Sequence, residues 1–146
     1  MKRILAIIAL GAAVAASFTG CNNKPPYERL ATAVDSINTV MQQNPIDFAD
    51  SASVSFDEIT NTVKYTFVLP GKVDTAQMAA AGTQFEQAFL MASVLNDPDF
   101  GEKVVEAKSN IAVLFEGNEG GKFEFMIENA TIDKTFRAIF PAKEQE

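Results

Sequence analysis

The residues of this chain that could do chemistry are almost all carboxylates, because the sequence has no histidine and a single cysteine, Cys21. Ser–His–Asp triads, Cys–His pairs and the usual zinc ligand sets all need one of these two residue types. Two carboxylates held close together can cleave glycosides, and Asp57 with Glu58 is one such pair. Both residues lie where a hairpin turn is expected, so we favour a solvated turn over a catalytic pair.

Other motifs also give weak signals for a bound ion or cofactor. Two further pairs of acidic residues could offer oxygen ligands to Ca²⁺: Asp47 with Asp50, and Asp97 with Asp99. Neither has the loop spacing of a calcium site, and Asp97-Pro98 is typical of a helix start. Gly117–Lys122 lacks the Ser or Thr of a phosphate loop and leads into a strand. We therefore expect a protein that is not an enzyme and holds no metal or cofactor.

The N-terminal stretch Met1–Cys21 has the pattern of a secretory signal. Lys2 and Arg3 precede an apolar run, Ile4–Ala16, which is shorter than the about 20 residues a membrane-spanning helix needs. Small residues then lead through Gly20 to Cys21. The segment resembles a bacterial lipoprotein signal, although Phe18 stands where those signals usually have Leu.

This resemblance implies cleavage before Cys21, a diacylglyceryl group on its thiol and a fatty acyl group such as palmitate on its new amino group. Residues 21–26 would then be a short tether that holds the domain close to a membrane. Asn22 is not the Asp that retains many lipoproteins in the inner membrane, and no acidic run follows Cys21. The resemblance therefore implies a lipid anchor in the outer membrane, facing the periplasm. The alternative is an ordinary secreted protein with one free thiol.

Chain length and net charge limit the number of domains and the kinds of partner that this protein can have. Without the signal, roughly 125 residues remain, which is the size of one domain. Removing Lys2 and Arg3 from the 12 basic residues leaves 10 against 19 acidic ones, a net charge of −9. Such a chain repels phosphate backbones, so we expect no nucleic-acid partner.

Residue spacing predicts a first helix and a first hairpin. Apolar residues recur at spacings of three and four along Tyr27–Asn44, namely Tyr27, Leu30, Val34, Ile37 and Met41. Phe48 is expected to reach from the next loop into the core. Alternation with period two predicts strands over Ser53–Asp57 and Thr62–Leu69. In the turn between them we expect Asn61 at positive φ and Ile59 at the exposed tip.

The second half of the sequence also predicts helices and a hairpin. Asp74, with Gln77 three residues later, predicts the start of a second helix whose apolar stripe is Met78, Ala81, Phe85, Phe89, Ala92 and Leu95. A short third helix starts at Asp97, and a second hairpin is predicted over Ile111–Glu116 and Lys122–Asn129. A last helix carries Ile132, Phe136, Ile139 and Phe140. We expect one domain over residues 27–141 and a frayed tail over 142–146.

These elements predict an α+β fold: a four-stranded antiparallel sheet with helices packed on one face. The order helix, Asn and Pro, Asp-Phe, hairpin occurs twice, at Asn44–Phe48 and Asn96–Phe100. Two repeated helix-plus-hairpin units, or coincidence among common turn residues, both explain it.

The outer face of the predicted sheet carries an apolar patch, Val68, Leu114 and Met126. We favour a cover formed by the C-terminal segment with Phe136 and Phe140 over a binding surface. We expect a membrane-anchored protein that binds another envelope component, most simply a protein. The alternative is a carrier of a lipid or other small apolar ligand, with Phe85 and Phe89 lining its site, although a packed core uses the same residues.

Overall fold

The computed structural model describes residues 24–44, 46–47 and 49–142. Its elements are α1 (Pro26–Gln43), β1 (Ser51–Asp57), β2 (Thr62–Leu69), α2 (Thr75–Ala80), α3 (Gly82–Ala92), α4 (Pro98–Glu106), β3 (Asn110–Gly117), β4 (Lys122–Ile127) and α5 (Asn129–Ile139). The α+β class with four strands is therefore confirmed. No described helix combines the length and hydrophobicity that crossing a membrane requires. The expectations for the signal peptide, Cys21, Phe48 and the last four residues lie outside the described ranges.

The four strands form one sheet in the order β1-β2-β3-β4. Both hairpins are antiparallel, but β2 and β3 run parallel, with Thr62 opposite Asn110 and Leu69 opposite Gly117. The expectation of a wholly antiparallel sheet was therefore wrong for this central pair. A parallel pair needs a crossover connection that brings the chain back to the same end of the sheet. Residues 70–109, with three helices, are long enough to provide it.

The first hairpin follows its sequence pattern closely. β2 has the predicted bounds, and β1 begins two residues earlier than predicted. In the turn, Asn61 has φ of 49° and Ile59 is 97% exposed, which confirms both expectations. The Asn side chain tolerates the left-handed region, and it also donates to the C=O groups of Ala107 and Lys108 before β3.

The core lies between one face of the sheet and the helices. Val54, Tyr65, Val113 and Phe125 stand side by side across the four strands and are all buried. The same cluster includes buried side chains from four helices: Leu30, Val34 and Ile37 of α1, Phe85, Phe89 and Leu90 of α3, Phe100 and Val104 of α4, and Ile132 and Phe136 of α5. Burying one such side chain contributes about 1.5–3 kcal/mol, so this cluster dominates the stability of the domain.

The periodic face of α1 is buried as predicted, except at its first residue. Leu30, Val34, Ile37 and Met41 lie in the core, whereas Tyr27 is 45% exposed. The helix begins at Pro26, a residue suited to the first helical position because it lacks an N–H. Tyr27 therefore lies in the first turn, beyond the sheet face that the rest of the helix covers.

The predicted second helix is divided into α2 and α3. Asp74 caps α2 as expected, since its Oδ1 accepts the N–H of Gln77 at 3.1 Å. Ala81 then separates the two helices, and Gly82, a residue that weakens helices, begins α3. As a result α2 buries no residue, and the packing of this segment depends on Phe85 and Phe89 in α3.

In the second hairpin, β3 is one residue longer at each end than predicted, whereas β4 is two residues shorter because Asn129 belongs to a helix. The N–H of Asn129 donates to Asn110 Oδ1 (2.9 Å), and its side-chain amide donates to the C=O of Ser109 (3.0 Å). These bonds tie the start of α5 to the start of β3, so β4 ends at Ile127.

The topology gives no support to a repeated unit. In the first hairpin the core-facing residues Ala52 and Val54 direct their backbone groups away from β2, toward side chains of α1. In the second hairpin, Gly117 N–H donates to Gly121 C=O. The core-facing residues of β3 precede Gly117 at intervals of two, so their backbone groups also point toward β4 and form hydrogen bonds with it. The two hairpins thus present opposite faces to the core and are not equivalent copies.

Candidate functional site

The structure places the first carboxylate pair in a turn. Asp57 Oδ1 accepts the N–H groups of Ile59 (3.0 Å) and Thr60 (3.2 Å), and Oδ2 lies 3.1 Å from Lys64 Nζ. The ammonium group of Lys64, followed by the Thr60 N–H, holds the pKa of Asp57 below its ordinary value. Glu58 is exposed. The arrangement favours a stabilised turn with an ionised carboxylate, because a general acid would need a raised pKa.

The other acidic pairs also have local partners. Asp99 Oδ2 lies 2.7 Å from Lys103 Nζ one helical turn away, and Asp50 accepts a hydrogen bond from the side chain of Asn118. In the described part of the chain, no three His, Cys, Asp or Glu side chains are grouped as a metal site would need. Gly117–Lys122 connects β3 to β4 and leads into a strand rather than a helix, and its Gly121 lies beside the start of α2.

Asp97 is a buried carboxylate whose environment the sequence did not reveal. Its Oδ1 accepts the N–H of Phe100 at 3.1 Å and caps α4, as predicted, but the residue is only 6% exposed. No described group hydrogen-bonds its Oδ2. Burial raises the pKa of Asp97, and burial followed by the charge of Asp97 raises the pKa of Tyr65. An Asp-Pro signal identifies a cap, but burial depends on how α3 and α4 pack.

A shallow depression of about 540 Å³ lies at the start of α2, lined by Lys72, Val73, Asp74, Thr75, Ala76 and Gly121. Its one carboxylate, Asp74, already accepts the N–H that caps α2. Thr75 donates to the C=O of Lys122, so two of the polar lining side chains are used by the fold, and Lys72 is the remaining charged residue of the lining.

The surface with the clearest potential for binding is the sheet face opposite the helices, here called the open face. Strand register sets its side chains in rows: Ser51, Val68, Glu116 and Lys122; then Ser53, Thr66, Leu114 and Glu124; then Ser55, Lys64, Ala112 and Met126. Val68, Leu114 and Met126 thus form a diagonal apolar stripe, as period two predicted. None of the three belongs to the core cluster, and Met126 is 50% exposed.

The expected C-terminal cover of this stripe was wrong. Phe136 is only 1% exposed and lies in the core on the helix side, and its ring centroid is 5.0 Å from that of Phe140. Arg137, the next residue, makes a bidentate ion pair with Glu102 of α4, with N–O distances of 2.7 and 2.8 Å. The C-terminal helix is therefore held against α4, and no described helix lies over the open face.

The two residues expected to line an apolar ligand site lie in the core. The ring of Phe89 meets Tyr65 edge-on at 4.8 Å between centroids. The ring of Phe85 lies 6.0 Å from Phe115 and 6.2 Å from Phe123. These distances are typical of packed aromatic pairs, so within the described residues both rings contact protein rather than an open cavity.

The edges of the sheet carry features that sequence reasoning missed. Asn38 and Gln42 of α1 hydrogen-bond the outer backbone groups of β1, at Val54 and Ala52. Among residues 24–44, 46–47 and 49–142, no helix side chain bonds the outer edge of β4 beyond Lys122, whose C=O accepts from Thr75 Oγ1 at 2.9 Å. No sequence pattern separates such side chains from ordinary polar residues on a helix.

Comparisons of this chain with protein-family models, with curated proteins and with solved structures find no match.

Proposed function

We propose that this protein is a lipid-anchored lipoprotein of the bacterial envelope, without enzymatic activity, whose domain binds another envelope protein. The signal-like sequence that ends at Cys21 supports the anchor, and the short tether that follows supports a position close to the membrane. Two or more acyl chains give stable membrane attachment where one chain binds only reversibly. The outer membrane, with the domain facing the periplasm, remains the location we propose.

The observation that carries the binding function is the open face of the sheet. A mostly antiparallel sheet such as this one can leave a polar face in water, but the open face carries the stripe of Val68, Leu114 and Met126. The serines of β1 and Ala112 have short side chains that could not form the walls of a deep pocket, and Ala112 itself is only 4% exposed. Flat surfaces with an apolar centre and a charged rim are typical of protein–protein contacts rather than of small-molecule sites.

A site-specific photocrosslink tests this proposal. A photoreactive residue at Thr66, beside Leu114 in the sheet, should capture one envelope protein in living cells. The same probe at Gln87, exposed on α3, should not capture it. Leu114→Glu should lower the yield at Thr66 at least about tenfold, because it buries a charge at the centre of the contact.

Ser55→Glu is the matched control, since it adds the same charge to the same face outside the apolar stripe, and it should change the yield by no more than about threefold. Circular dichroism checks that each variant is folded. Equal capture at Thr66 and Gln87, or equal loss in Leu114→Glu and Ser55→Glu, would contradict binding through the open face.

The alternative functions have less support. A lipid carrier would need space beside Phe85 and Phe89, and both rings are packed against other aromatic residues. A hydrolase using carboxylates would need a protonated and an ionised partner, whereas Asp57 forms an ion pair with Lys64. No observation favours either over the binding module.

A further inference from the structure

The two edges of the sheet differ in how their backbone groups are satisfied. On β1, Val54 N–H donates to Asn38 Oδ1 (3.0 Å), and the C=O of Ala52 accepts from Gln42 Nε2 (2.8 Å). These side chains of α1 occupy two adjacent groups at the centre of the edge that an added strand would need. The β1 edge is therefore closed to strand addition, in the way that natural sheets protect exposed edges.

The β4 edge is open over its second half. Gly117 N–H donates to Gly121 C=O (3.0 Å), so the register directs the backbone groups of Phe123, Phe125 and Ile127 toward β3. The alternate residues, Lys122, Glu124 and Met126, direct theirs outward. Thr75 occupies the C=O of Lys122. Within the described residues no hydrogen bond is made to the outward groups of Glu124 or Met126.

The side chains beside this free edge form an acidic, apolar, acidic pattern. Glu124, Met126 and Glu128 follow one another at period two, and all three are exposed. Neither of the two glutamates takes part in an ion pair with a described residue, whereas Lys122 pairs with Glu116 at 3.4 Å. The chain as a whole has a net charge of −7, so its field attracts a basic partner to this edge.

We propose that the outer edge of β4 takes up an extended, basic segment of the partner protein as a fifth strand of the sheet. Backbone hydrogen bonds at Glu124 and Met126 would provide the pairing, as in other cases of strand addition. Basic side chains opposite Glu124 and Glu128, with an apolar one opposite Met126, would provide the specificity. The inference rests on the proposed binding function and names the chemistry of the partner.

A second copy of this chain is a poorer occupant of the edge. Antiparallel pairing must set outward residues against outward residues, which leaves three central registers for two β4 strands. They place Glu124 opposite Glu124, Met126 or Glu128 of the second copy. The first and third registers set like charges directly opposite. The second leaves the two Glu124 side chains as diagonal neighbours, and its attractive pair, Lys122 opposite Glu128, needs the C=O of Lys122 that Thr75 already occupies. Like charges opposite one another destabilise strand pairs.

A peptide-binding experiment with the purified protein tests the proposal. The probe is a fluorescein-labelled nine-residue peptide with Lys, Val and Lys at alternate central positions and Thr elsewhere. Its fluorescence anisotropy should rise to saturation as the protein is added, and the affinity should fall with salt. A peptide N-methylated at the amides of those Lys and Val residues cannot pair with β4 and should bind at least about tenfold more weakly. Because this comparison uses the unchanged protein, it does not depend on the folding of a variant.

Two substitutions at one position separate the backbone from the side chain. Met126→Pro removes an outward N–H at an edge position, where proline is tolerated in sheets, and should weaken binding at least about tenfold. Met126→Thr keeps the N–H and suits a strand, so it loses only the apolar contact of the Met side chain and should bind at least about threefold more tightly than Met126→Pro. Absence of peptide binding, or equal binding of the N-methylated peptide, would overturn strand addition.

The same variants separate this inference from the proposed function. If the protein captured at Thr66 is lost in Leu114→Glu but retained in folded Met126→Pro, strand addition is wrong and binding through the open face stands. If it is retained in both, both proposals fail. If it is lost in both and retained in Met126→Thr, the result supports strand addition.

Discussion

Gly101 lies where α5 packs against α4, and its substitution tests the contact that keeps the C-terminal helix away from the open face. A Cβ atom at this position would stand 2.5 Å from Cε2 of Phe136 and 2.7 Å from the carbonyl oxygen of Val94. Both distances are well inside van der Waals contact. Gly101 is itself buried, so the added methyl cannot turn toward solvent. We therefore expect Gly101→Ala to destabilise the protein.

Two effects of opposite sign decide how much Gly101→Ala changes the free energy of unfolding. Replacing glycine by alanine inside a helix stabilises it by roughly 0.5–1 kcal/mol when nothing is in the way. Overpacking a filled core costs about 1–3 kcal/mol, and the Val94 oxygen belongs to the backbone and cannot rotate aside. Overpacking should win, with a net loss of about 1–2 kcal/mol and a fall in Tm of roughly 3–10 °C.

Urea denaturation followed by circular dichroism measures the free energy of unfolding of each variant. Gly82→Ala is the matched control, since a Cβ there has nothing within 4 Å; it should leave stability unchanged or raise it by up to about 0.5 kcal/mol. Phe136→Leu combined with Gly101→Ala should be less destabilised than the sum of the two single changes, because the smaller side chain makes room for the methyl. A Gly101→Ala protein as stable as the parent would refute the close packing of α5 on α4.

Two further predictions concern Asp97 and Cys21. Burial raises the folded-state pKa of Asp97 above its ordinary value of 3.8, so its contribution to stability is greatest below that pH and is lost as the pH rises through the raised pKa. Asp97→Asn keeps the oxygen that caps α4 and removes this loss, so its free energy of unfolding relative to the parent should increase from pH 3 toward neutrality; a difference independent of pH would contradict the argument. Cys21→Ser should shift the protein from the membrane fraction to a soluble or uncleaved form, because acyl chains contribute about 0.8 kcal/mol per buried CH₂; fractionation with intact-mass measurement checks this, and an unchanged membrane-bound mass would count against lipidation.

The candidate site could be predicted only in part from the sequence. Period two placed Val68, Leu114 and Met126 on one face, and the register confirms that placement. The prediction of a C-terminal cover was wrong, because α5 is amphipathic and its spacing does not say which surface it meets. The Ser109 and Asn110 bonds to Asn129, and the contact of Phe136 with the Gly101 position, decide that question.

The sequence by itself determined the features that depend on neighbouring residues. The strand of Tyr65 and Phe67, the caps at Asp74 and Asp97 and the positive φ of Asn61 all follow from side-chain period, local hydrogen bonding and backbone sterics. These interactions span only a few residues, so a short stretch of sequence contains them.

Only the tertiary structure decided the parallel pairing of β2 with β3, the closed edge at β1 and the burial of Asp97. Each depends on contacts between different elements; the Asn61 amide, for example, bonds the C=O of Ala107, 46 positions later in the chain and just before β3. Several arrangements satisfy the same local patterns, and the one adopted is selected by how the helices fill the space over one face of the sheet. That selection also leaves the opposite face, and half of the β4 edge, open among the described residues.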